Sequence, residues 1–179
     1  MDLREKKTKR SIHNAFLQLR AHKPLERITI KELTQLAEIS KATFYLHYHD
    51  IYDLSAQMQE EVIEQILSDI EQPDLFAIDK PLFTRLLFQS FVAHQNLTDI
   101  LFSGNQASVL PIRIEQGIRE HIFRIFPEKK NDVKFNILLT YQIQGGYYAY
   151  TQHRRSFGDE IVINTIVENT GVSDMKTDI

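Results

Sequence analysis

The stretch from Glu26 to Leu54 constrains this chain more than any other, because it sets three helix starts close together. Thr29 and Glu32 form a Thr-x-x-Glu pair. The Thr oxygen caps an orphan backbone N–H, and the Glu reaches back to the cap residue's own N–H, so a helix is predicted from Ile30. Ile30, Leu33, Leu36 and Ala37 recur at helical spacing along it. Ser40 is the next good N-cap and predicts a second helix over Lys41 to His47. Only Glu38 and Ile39 remain for the turn. A turn this short makes the helices cross steeply, with Ile39, Phe44 and Tyr48 facing inward. Lys41, Ala42, Thr43, Tyr45 and His47 are left near the outer edge. This is a helix-turn-helix pattern, in which the second helix offers its side chains to the major groove of DNA.

Asp50 is a third N-cap, with Asp53 in the first turn to suit the helix dipole. A long helix is expected from there to about Glu71, ending near Gln72-Pro73-Asp74, with Leu54, Met58, Val62, Ile66 and Ile70 stepping by four. Upstream, Ile12, Ala15, Phe16 and Leu19 stripe a helix over about residues 5–21, which Pro24 stops. Downstream, Asp79-Lys80-Pro81 starts a helix rich in Leu and Phe. A short helix follows from Gln95-Asn96 to Ser103-Gly104. Others are expected over Pro111 to Phe126, from Asn131 or Asp132 to about Arg154, and from Gly158 to Asn169, the last ended by Gly171. With only six Gly and few alternating runs, the chain is expected to be all-α.

Charge is distributed unevenly. Residues 1–50 carry ten Lys/Arg against six Asp/Glu, a net of +4; residues 51–179 carry eleven against eighteen, a net of −7. A basic head on an acidic body suggests that only the head meets a polyanion. The absence of Cys removes disulfide and thiolate chemistry, no apolar run nears the roughly 18 residues of a membrane span, and the charged N-terminus lacks a signal-peptide core. A cytoplasmic protein with no membrane association is expected. The seven His show no HExxH spacing. His47 and His49 lie two residues apart and diverge on a helix. There is no phosphate-cradling Gly loop and no nucleophile elbow. Neither an enzyme, nor a metal site, nor a cofactor is expected.

Ile28-Thr29-Ile30, Ala37 and Ser40-Lys41-Ala42-Thr43-Phe44-Tyr45-Leu46-His47-Tyr48 together resemble the TetR family of bacterial transcription regulators. The likeness covers about residues 8–55. The late Gly145-Gly146 with flanking aromatics looks like the family's short Gram-positive members. Two departures stand out: Glu38 where many members carry Gly, and Ile51 where many carry a phosphate-holding Lys.

The resemblance implies a three-helix DNA-binding domain over residues 1–53. A long fourth helix would join it to a helical effector-binding and dimerisation domain over 54–179. The implied function is a ligand-responsive regulator, most simply a repressor that binds a near-palindromic operator of double-stranded DNA as a homodimer. Lys41, Ala42 and Thr43 would face bases, with Ser40 at the helix start. Thr29, Tyr45 and His47 would hold the backbone, and Lys9 and Arg10 would add nonspecific attraction. Phe83, Phe91, Phe102, Phe123 and Tyr141 are candidates for a small-molecule effector pocket. Gly145, Gly146, Tyr147, Tyr148, Ile161 and Ile166 are candidates for the dimer interface. Two alternatives fit the same pattern: a co-activator of this fold answering to a protein partner, and a helical adaptor that does not bind DNA.

Overall fold

A computed structural model describes residues 3–70 and 74–172, and among them every regular element is helical. The ten α-helices are α1 (Leu3–Arg20), α2 (Ile30–Leu36), α3 (Lys41–Tyr45), α4 (Ile51–Ser68), α5 (Leu75–Ile78), α6 (Lys80–Ala93), α7 (Gln95–Leu101), α8 (Val109–Ile125), α9 (Val133–Phe157) and α10 (Asp159–Val172). No helix among the described residues is long and apolar enough to cross a membrane.

The helix starts follow the capping chemistry. Thr29 Oγ1 accepts the Glu32 N–H at 3.3 Å, and Ser40 Oγ accepts the Thr43 N–H at 3.0 Å. At the start of α4, Asp50 accepts the Asp53 N–H while Asp53 accepts the His49 N–H, both at 2.8 Å. Asp79 caps α6 and Asp132 caps α9. The helix ends depart further from expectation. The second helix of the motif stops at Tyr45 rather than His47. The fourth helix stops at Ser68; Glu71, Gln72 and Pro73, expected at its end, lie outside the described residues. Gly171 does not end α10, which runs to Val172. A four-residue helix, α5, had no counterpart in the sequence reading.

Two compact units result. One comprises the described residues up to Val62 together with Asn96–Ser108; the other comprises Ile63–Gln95 and the described residues from Val109 onward. In the first, Ile12, Phe16, Leu33, Phe44 and Leu54 are fully buried. Residues 96–108 belong to this unit through buried Leu101 and Phe102 and through polar clamps. Gln59 donates to the Leu101 carbonyl at 3.1 Å, and buried Arg20 donates to the carbonyls of Lys23 and Ser103. In the second unit, α10 packs along α6 and α9.

A half-buried polar network joins α8 to α9. Arg119 donates to Asn136 and Thr140, and Glu115 accepts from Thr140, Arg119 and Gln144. Burial alone would raise the Glu115 carboxyl, but hydrogen bonds from Gln144, Thr140 and Arg119 outweigh it and hold the group below the usual range.

Candidate functional site

The turn between α2 and α3 builds the candidate nucleic-acid surface. Ala37 closes α2, and Glu38 then takes φ +55°. The Ile39 N–H returns to the Thr34 carbonyl at 3.0 Å and the Glu38 N–H to the Gln35 carbonyl at 3.3 Å. These are the two hydrogen bonds of a Schellman cap, which requires a left-handed residue at the Glu38 position. A non-glycine residue held there carries strain of about 1 kcal/mol. The cap leaves Ser40 extended, ready to start α3.

α3 is anchored from beneath by aromatic side chains. Phe44 is fully buried, and Tyr48 is almost so. Their rings lie 5.7 Å apart. The Tyr48 hydroxyl and His13 Nε2 share a hydrogen bond of 2.8 Å, tying this segment to α1. Burial, with the charges of Glu61 and Asp53, pushes the Tyr48 phenol up to about 12. Burial pulls His13 below its ordinary value despite nearby Glu61.

With Phe44 and Tyr48 turned in, the other side of α3 is outermost. Lys41 and Ala42 are exposed, and Lys41 makes no ion pair among the described residues. Tyr45 is 55% exposed, while Thr43 and His47 are half-buried. The Thr43 and Ser40 hydroxyls meet at 2.8 Å, so both serve the helix start as well as facing out. Thr29 is exposed at the start of α2, Arg10 is exposed on α1, and Lys9 is half-buried. The sequence reading missed Leu46. It follows α3 directly and is 82% exposed, the most open large apolar side chain of the motif. Its signal was an apolar residue two positions after inward Phe44, out of register with the buried stripe.

The second unit holds an apolar cavity of about 80 Å³. Phe83, Phe88 and Phe91 of α6 line it, with Ile114 and Ile118 of α8 and Leu139, Gln142 and Gly146 of α9. Of the candidate pocket residues, Phe83 and Phe91 line this cavity. The other three do not. Phe102 is buried in the first unit, because α7 packs there. Phe123 packs against Phe135, with ring centres 6.4 Å apart, outside the lining. Tyr141 is 75% exposed, because α9 turns that position away from the core.

The residues assigned to a dimer interface divide in two. Gly146, Tyr147 and Ile166 line the cavity. A Cβ on Gly146 would sit 3.6 Å from Phe88 and 3.7 Å from Ile166, so this face of α9 is covered from within the chain. Gly145, Tyr148 and Ile161 are exposed. With Val133, Ile137 and Tyr141, the first two form an outward row along α9, stepping by four, four, four and three residues. Such steps keep a row on one helix face.

No protein-family model matches this chain, and no curated protein matches it.

Proposed function

We propose that this protein is a homodimeric, ligand-responsive transcription regulator of the TetR type, most simply a repressor. The observation that carries the reading is the outward edge of α3. Lys41, Ala42 and Tyr45 stand exposed on a short helix whose opposite side is fixed by buried Phe44 and Tyr48. A module used only for packing would place apolar residues along that edge. Lys41 instead offers a donor to guanine or phosphate, and Ala42 and Thr43 offer small apolar contacts to a thymine methyl. Thr29, Tyr45 and His47 serve the phosphate backbone. The excess of Lys and Arg in residues 1–50 supplies the sequence-independent attraction.

Symmetry completes the reading. As a homodimer, two copies would offer two α3 helices to successive major grooves of a near-palindromic site, about 34 Å apart. α4 belongs to both compact units, and an occupant of the cavity would act through it. Such an occupant shifts the DNA-binding equilibrium only if it binds the two arrangements with unequal affinity.

The test is capture of genomic fragments by the purified protein, followed by footprinting. Protection of two half-sites one helical turn apart, related by a dyad, is expected. Protection without dyad symmetry would remove the homodimeric part of the proposal. Failure to enrich any fragment would remove the regulator itself.

A further inference from the structure

The cavity of the second unit is selective in its chemistry. Its lining contains no Asp, Glu, Lys, Arg or His. An ionised guest would lose its hydration there without gaining a counter-charge, which strongly disfavours carboxylates and ammonium groups. The lining is not pure hydrocarbon, however. Gln142 on α9 and Thr84 on α6 both border it, and neither makes a hydrogen bond with a described residue. The Thr170 hydroxyl, by contrast, already donates to the Val167 carbonyl at 2.7 Å. Two polar groups on separate helices thus remain available to a guest.

Size narrows the class further. Drug-sized ligands occupy pockets of roughly 300–1,000 Å³, and an apolar cavity of about 150 Å³ takes benzene. A space of about 80 Å³ suits a guest of only a few heavy atoms.

We propose that this cavity binds a small uncharged molecule, apolar except for one hydroxyl or carbonyl that Gln142 and Thr84 engage, and rejects its ionised counterparts. This deepens the effector half of the regulator reading. It is tested without DNA, so a chain that ignored nucleic acid would leave it standing.

The experiment titrates the full chain with butanol, butyrate and butylammonium at neutral pH, followed by amide NMR. Xenon serves as a purely apolar probe. Butanol should give saturable shifts confined to the cavity-lining segments of α6 and α9, with both ions binding at least about tenfold more weakly, as expected for an unpaired buried charge. Gln142→Leu should weaken butanol by up to about tenfold, the range of one hydrogen bond, and leave xenon binding intact. Gly146→Ala, which narrows the space beside Phe88, should weaken both guests. Butyrate or butylammonium binding as well as butanol would overturn the proposal. So would butanol shifts scattered over the surface, or a butanol affinity indifferent to Gln142→Leu.

Discussion

At the scale of single residues, the account makes Lys41 a reader and Tyr48 an anchor. Lys41→Ala should cost roughly 1–3 kcal/mol on the preferred operator and flatten preference among base variants, if the ammonium contacts a guanine edge. An unaltered ranking of operator variants in a competition assay would assign Lys41 to phosphate instead. Tyr48 gives a pH signature. Its phenol is raised above its ordinary value of 10 to about 12 by burial and by Glu61 and Asp53. The stability that this neutral phenol supports is therefore complete below pH 10 and is lost as pH rises through about 12. The expected loss is at most about 3 kcal/mol, two pH units at 1.36 kcal/mol each. Urea unfolding of wild type against Tyr48→Phe should show the alkaline decline flattened in the variant; equal declines would place the titration elsewhere. Glu38 carries backbone strain that glycine would relieve. Glu38→Gly should raise stability by up to about 1 kcal/mol, offset in part by the greater freedom of glycine in the unfolded chain.

At the scale of elements, glycines separate what sequence reveals from what only packing decides. Gly145-Gly146 stood out in the sequence, since mid-helix glycines cost roughly 1 kcal/mol each against Ala. The tightest approach lies instead at Gly117 on α8. A Cβ there would come within 2.8 Å of Leu67 and 2.9 Å of Ile63, while Gly145 has open space around it. Gly117→Ala should thus destabilise, its overpacking cost of about 1–3 kcal/mol exceeding the roughly 1 kcal/mol of helix propensity gained, whereas Gly146→Ala should stabilise by about 1 kcal/mol, both read from thermal or urea unfolding. Two substitutions of the same sign would contradict this packing.

Caps were the most legible features. Thr29, Ser40, Asp50, Asp79 and Asp132 each accept the backbone N–H three residues on, a contact set by local sequence alone. Helix ends were less legible: α3 stops at Tyr45, short of His47, although no Gly or Pro stands there. The placement of side chains was illegible where it needed three dimensions. Phe102 and Phe83 look alike in sequence, yet the polar clamps of Gln59 and Arg20 hold the segment carrying Phe102 in the first unit. Tyr141 and Tyr147 lie on one helix, but the turn between them sends one outward and the other to the cavity.

At the scale of the whole molecule, the proposal rests on pairing and on charge. Val133, Ile137, Tyr141 and Tyr148 leave an exposed apolar row on α9. If this row forms the homodimer, Ile137→Glu should yield a folded monomer by sedimentation, since the position is exposed and its loss opens no cavity. A variant that remained dimeric would move the interface elsewhere. The basic bias of residues 1–50 and the open edge of α3 make the central claim, which is association with duplex DNA. Fluorescence anisotropy of a labelled random-sequence duplex, titrated with the protein at increasing salt, tests it most directly. The account predicts tight binding at low ionic strength, with log K falling linearly against log salt. No binding at the lowest salt, or an affinity indifferent to salt, would contradict it.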